Sequence, residues 1–254
     1  QDVKAYLTGQ PASSRGLEKW GSTCQRGVLV DIMPEDGFRA CQCEKCKAVW
    51  KTGDTSYATE MIWGLAAEIG NRLKKEGVPG SIAMMAYVPY ARLPDFPLPD
   101  NIRVMVADKG PWCTGDAGRF GESVRFIRGW AEKTGRKTWL WTYPGKYQNR
   151  FQDLPHYCPR AYAKYYSTLE PWMEGGYSCT SSDYYLFDAI NLYVYGRLGW
   201  DPQLDMDALL REFHVRMFGP AADEMQQVFE KSEVKVWECR NCGHIMVGTK
   251  APEL

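Results

Sequence analysis

Glu35 and Asp36 are adjacent carboxylates, set between Pro34 and Gly37 at the end of a short apolar, β-branched run from Gly27 to Met33. Paired carboxyl groups of this kind can divide acid–base work, one giving up a proton while the other stays ionised. The run before them reads as a buried parallel strand. In α/β folds the loops after such strands converge on one crevice, so this rim is the expected place for chemistry. Adjacent strand residues point to opposite faces. Both carboxylates therefore serve one crevice only if Pro34 and Gly37 break the strand, and the competing reading is a solvated Asp-Gly turn.

Cys41, Cys43 and Cys46 follow directly. Thiolates can hold zinc, and Cys24 could supply a fourth ligand. Zinc sites usually pair cysteines as C-x2-C, a spacing that only Cys43 and Cys46 have here. A disulfide or a set of buried thiols is the favoured reading, and any metal would be structural. A second C-x2-C pair, Cys239 and Cys242, lies near the C-terminus, but two thiolates alone make a poor tetrahedral site. His156, His214 and His244 are scattered and form neither a triad nor a metal pattern. His214 falls in an amphipathic helix and reads as structural. No cofactor is expected.

Composition narrows the partners. The chain carries 31 basic and 31 acidic residues, so it has no electrostatic footprint for nucleic acid. No apolar run approaches the length of a bilayer-spanning helix. A hydrophobic share of 44% permits a sizeable core. The informative excess is 10 Trp and 15 Tyr. Most of these should fill the core, but those at strand ends could stack on pyranose faces and hydrogen-bond a sugar. Oligomeric state is not legible.

Around these residues, strand and helix alternate. Residues 1–26 are poorly patterned, with a short helix expected near Leu17 to Trp20. A helix over Thr55 to Glu76 has a one-sided apolar stripe from Ala58 to Leu73 and stops at Gly77 and Pro79. Strands are expected at Ser81 to Tyr87, Ile102 to Asp108, Lys137 to Tyr143 and Gly175 to Ser181, with helices at Phe120 to Thr134 and Pro159 to Trp172. The proline-rich segment from Pro89 to Pro99 has no room for a crossover helix. Three helices close the domain: Tyr184 to Leu198, Met206 to Met217, and Pro220 to about Phe229. The pattern is α/β with a parallel sheet; a doubly wound sheet and a barrel both fit it.

The Cys-x-Cys-x-x-Cys after an acidic strand end, the strand ending at Tyr87 with its proline loop to Asp100 and Asn101, the Trp139 to Tyr143 strand, and the closing Gly199 to Pro202 and Phe218 to Ala222 segments occur in a familiar order. From about residue 27 to 230 they resemble a bacterial domain of unknown function that includes glycoside hydrolase family 163 endo-β-N-acetylglucosaminidases. The resemblance implies a parallel (β/α) barrel, here an incomplete TIM barrel of about five C-terminal βα units with extra C-terminal helices. It further implies a truncated or spliced chain, a secreted or periplasmic location, and a glycan substrate. The tail from Val236 resembles the first half of a rubredoxin-like knuckle of rubrerythrins, with Cys239 and Cys242 as two of four iron ligands; the domains would then be 1–26, 27–230 and 231–254.

By the same resemblance, Glu35 is the general acid/base and Asp36 orients the substrate's 2-acetamide in a retaining, substrate-assisted mechanism. The reverse assignment is open. Tyr143 would hydrogen-bond the acetamide oxygen, and Trp141 or Trp139 would floor the sugar site, although filling a barrel is the plainer role for both tryptophans. Tyr87, Asp108 and Asp183 are further substrate-binding candidates. Two other classes stay open: a carbohydrate-binding domain without turnover, and a redox or iron protein based on the tail.

Overall fold

The computed structural model describes residues 1–36, 38–49, 55–143, 157–179, 185–233, 235–238 and 245–248. Five parallel strands form one sheet in the order β1 (Leu29–Asp31), β2 (Ser81–Ala86), β3 (Ile102–Asp108), β4 (Thr138–Thr142), β5 (Met173–Ser178). Each strand neighbours the next one in the chain, the winding of a barrel; a doubly wound sheet would reverse direction partway. The helices are α1 (Asp2–Leu7), α2 (Glu44–Val49), α3 (Thr55–Lys75), α4 (Ala117–Thr134), α5 (Pro159–Leu169), α6 (Tyr185–Leu198), α7 (Met206–Phe218) and α8 (Ala222–Ser232). The architecture is α/β, with a parallel sheet flanked by helices in a partial barrel-like form. An antiparallel pair, β6 (Lys235–Glu238) and β7 (Ile245–Gly248), follows. No helix among the described residues is long and apolar enough to cross a membrane.

The chain divides into two compact units. The first comprises Gln1–Ala107 with Gly129–Trp139, and the second Asp108–Arg128 with Leu140–Leu254.

In the first unit, β1 pairs with β2 from Leu29↔Ser81 to Asp31↔Ala83, and β2 with β3 from Ile82↔Ile102 to Ala86↔Val106. Ile82, Met84, Ala86, Ile102, Val104 and Val106 form the buried face, while their alternating neighbours are half-buried or exposed. Helix α3 buries Ala58, Ala66 and Leu73 of the expected stripe together with Trp63, which lies off it, while Leu65 of the stripe is 56% exposed. It ends where Gly77 takes a left-handed φ of 65°. The N-terminal expectation is corrected: the helix lies at Asp2–Leu7, and Leu17 to Trp20 is not helical. Ala5, Tyr6 and Leu7 are buried, and Trp20 serves as an edge-on ring against Tyr6.

Parallel strands need a long return path, usually a helix. Between β2 and β3 that path is the extended, proline-rich segment 87–101. Packing replaces helical hydrogen bonds there. Trp63 Nε1 donates to the Tyr90 carbonyl (2.9 Å), Trp130 Nε1 to that of Ala91 (3.1 Å), and Asn101 Nδ2 to that of Gly70 (3.0 Å). The Trp63 and Trp130 rings are 4.5 Å apart.

In the second unit, α5 buries Tyr162, Tyr165, Tyr166 and Leu169, a one-sided stripe at helical spacing. Helix α7 is capped by Asp205, which accepts from the amides of Asp207 and Ala208. Leu209, Leu210 and Phe213 are buried as expected, but Met217 is 56% exposed.

Gly70 sits inside α3, where alanine would ordinarily raise helix stability. A Cβ at this position would lie 2.8 Å from Asn101 Oδ1 and 2.8 Å from Pro99 Cγ. Gly70→Ala should therefore cost about 1–3 kcal/mol in urea unfolding. Gly196→Ala in α6, with nothing within 4 Å, should gain about 0.5–1 kcal/mol.

Candidate functional site

The first unit carries the acid pair. Strand β1 ends at Asp31, earlier than the Met33 expected from the apolar run, so Glu35 and Asp36 stand on an exposed loop beyond the strand's carboxyl end. The strand's alternation no longer governs them there. Asp31 is held by the Ser22 hydroxyl, which donates to its carboxylate. Past the acid pair, the half-buried Phe38 meets the Tyr90 ring edge-on at 6.0 Å.

Strand β2 ends at the same rim. Tyr87 follows it half-buried, and after the cis Val88-Pro89 bond comes Tyr90, 1% exposed. The Tyr90 hydroxyl is pushed up to about 12, first by burial and then by the nearby charges of Tyr87 and Asp36. Tyr87 and Asp36 are thus each within electrostatic reach of the Tyr90 hydroxyl. Tyr90 is enclosed and backs the rim, whereas the half-buried Tyr87 is the phenol that a polar ligand can reach.

The cysteines also come together in this unit. The sulfurs of Cys41, Cys43 and Cys46 lie within 4.8 Å of one another. In place of the favoured disulfide or buried thiols, these cysteines are free and Cys41 and Cys43 exposed; Cys24, the possible fourth ligand, is not in the cluster but lies beside Ser22 and Asp31, and burial raises its thiol. Trp139, expected to fill a core, is 41% exposed.

In the second unit, Asp108 is 8% exposed and fully engaged. Ser123 Oγ donates to its Oδ1 (2.8 Å), and the Tyr165 hydroxyl (2.6 Å) and the Gly110 amide (3.2 Å) donate to its Oδ2. Burial and the Asp108 charge push Tyr165 well above the usual phenol range. The same causes push the buried Cys113 thiol up to about 12. These donors compensate the carboxylate for lost water, the arrangement of a core anchor.

At the end of β4, Trp141 packs against Tyr177 (ring centroids 4.2 Å) and Tyr143 (6.4 Å). Trp141 Nε1 is buried and has no hydrogen-bond partner among the described residues. Thr142 Oγ1 is 3.1 Å from the Tyr166 hydroxyl, which fixes the strand end. His214 is buried, with Nδ1 2.6 Å from the Leu210 carbonyl; the oxygen can only accept, so Nδ1 carries the hydrogen. Its neighbours Phe213, Phe218 and Phe229 line a largely apolar cleft of about 730 Å³ between α6, α7 and α8. Asp183, Cys239, Cys242, His156 and His244 lie outside the described residues.

Tyr90, Tyr177 and the partners of Asp108 join the candidate residues only with the structure. Tyr90 had a local signal, the Tyr-Val-Pro-Tyr run after β2. Ser123 and Tyr165 had none, because only the fold brings residues 15 and 57 positions away to Asp108.

The model of a family described as Domain of unknown function (DUF4838) matches residues 23–231. No curated protein and no solved structure matches the chain.

The Cys113 thiol, raised to about 12, is uncharged at pH 8 and should be inert to maleimide in the native protein. Peptide mapping should find it labelled only after unfolding in urea; labelling in native buffer at the rate of an exposed thiol would contradict this environment.

Proposed function

The chain belongs to the DUF4838 family, and on that premise we propose that it is a glycoside hydrolase-like domain acting on N-acetylglucosamine-containing glycans, akin to family 163 endo-β-N-acetylglucosaminidases. The observation that carries the reading is the rim of the first unit. Adjacent, exposed carboxylates leave β1 at its carboxyl end, and Tyr87 and Tyr90 leave the neighbouring parallel strand beside Asp36. In barrel-like folds that end of the strands carries the chemistry.

The proposed reaction is substrate-assisted hydrolysis with retention. Asp36 holds the 2-acetamide of the sugar so that its carbonyl oxygen attacks the anomeric carbon. Glu35 gives its proton to the leaving glycosidic oxygen, and the bond to the aglycone breaks. Glu35 then takes a proton from water as the water opens the cyclic intermediate, which restores the acetamide and the acid. Two carboxylates one residue apart suit this division, because the nucleophile comes from the substrate. Tyr87 provides aromatic surface and a hydroxyl for a pyranose, with the buried Tyr90 behind it.

An N-glycan or a chromogenic N-acetylglucosaminide should be cleaved by the native chain. Glu35→Gln and Asp36→Asn should each lower kcat by about 10²–10⁴-fold with unchanged circular dichroism. Replacing the N-acetyl group by N-trifluoroacetyl should slow the wild-type reaction, since the less basic amide is a poorer nucleophile. Glycan binding without turnover would favour the carbohydrate-binding reading. Equal rates in wild type and both variants would remove the acid pair from the mechanism.

A further inference from the structure

We propose that Cys41, Cys43 and Cys46 form a binding site for one zinc-class, thiophilic divalent cation, with solvent in the fourth position. The three sulfurs already lie within 4.8 Å of one another. A tetrahedral ion with metal–sulfur bonds of about 2.3 Å places its sulfur ligands about 3.8 Å apart. Closure around the ion therefore needs only a small contraction, and the exposure of Cys41 and Cys43 leaves room for it.

Local backbone explains the convergence. The Cys43 carbonyl accepts from the Lys47 amide at 2.9 Å, so Cys43 caps α2 and Cys46 lies in its first turn. Residues three apart on a helix share a face, which turns the Cys46 sulfur back toward Cys43. The amides of Lys45 and Cys46 face the Cys43 sulfur, and the Tyr57 hydroxyl faces that of Cys46. Such donors around sulfur ligands orient them and spread their negative charge. Cys41 arrives from the preceding loop and completes a three-sulfur face that Cys24 does not share. A disulfide would use only two of these sulfurs and strand the third, whereas a tetrahedral cation uses all three. Binding replaces each thiol proton with a metal–sulfur bond and releases the protons to solvent.

The consequence is a clamp. The segment from Phe38 to Cys46 leads from the acid loop into α2 within the first unit, and the ion would fix the fold of that segment independently of whether the acid pair is catalytic.

The full chain, purified under reducing conditions with zinc and then desalted, is assayed by elemental mass spectrometry. About one zinc per chain is expected, with cobalt substitution giving the intense visible bands of a tetrahedral thiolate site. Cys43→Ser and Cys46→Ser should lose the ion, and Tyr57→Phe should weaken binding by about tenfold, as outer-shell partners do. Cys24→Ser and the pair Cys239→Ser with Cys242→Ser should retain it. Should the cysteine variants misfold, peptide mapping of the wild type decides: zinc should protect Cys41, Cys43 and Cys46 from maleimide, and chelator should remove that protection. Metal retained in Cys43→Ser, metal lost in the tail variants alone, or a disulfide within the cluster in place of bound zinc would overturn the proposal.

Discussion

Because β1 pairs in parallel with β2, and β2 with β3, each strand finishes on the same edge of the sheet and each connection must carry the chain back along its full length. That geometry gathers Glu35 and Asp36, which follow β1, and Tyr87 and Tyr90, which follow β2, on one rim. It also creates a difficulty, because segment 87–101 must return without a helix to satisfy its own backbone. The first unit meets it with side chains: two buried indoles donate to the loop carbonyls of Tyr90 and Ala91, and the loop's Asn101 amide donates to the Gly70 carbonyl of α3. The rim is consequently tied to the same packing that holds α3 in place.

Carboxylates in this chain have sharply different surroundings. Asp108 is enclosed, and three donors of its own unit occupy its oxygens, so it serves the core. Asp31 is tied to Ser22. Glu35 and Asp36 are exposed on the loop after β1, with Asp36 within electrostatic reach of Tyr90. Burial separates enclosed from solvent-facing acids here more clearly than residue type does.

Much of the framework was legible from the sequence. Helix α3 follows its 3.6-residue apolar period, and β3 runs from Ile102 to Asp108 as its alternation indicated. Helix α1 escaped because six residues with contiguous Ala5, Tyr6 and Leu7 show no period. Strand β1 proved shorter than its apolar run, since Ile32 and Met33 already belong to the loop. The acid pair was visible by adjacency alone. The proximity of the three sulfurs was not, because a C-x-C spacing does not say how an irregular loop turns, and Cys24 was equally eligible on paper. Asp108 could be recognised as a strand end, but its burial came only with Ser123 and Tyr165.

The acid pair at the edge of β1 is the claim on which the functional account rests. It is tested most directly by calorimetric titration with the thiazoline analogue of N-acetylglucosamine, a stable mimic of the ring formed when the acetamide attacks the anomeric carbon. The account predicts saturable binding by the native chain, weakened at least about 100-fold in Asp36→Asn, as expected for a mimic of an activated intermediate. Equal affinity in the two proteins, or no binding to either, would contradict it.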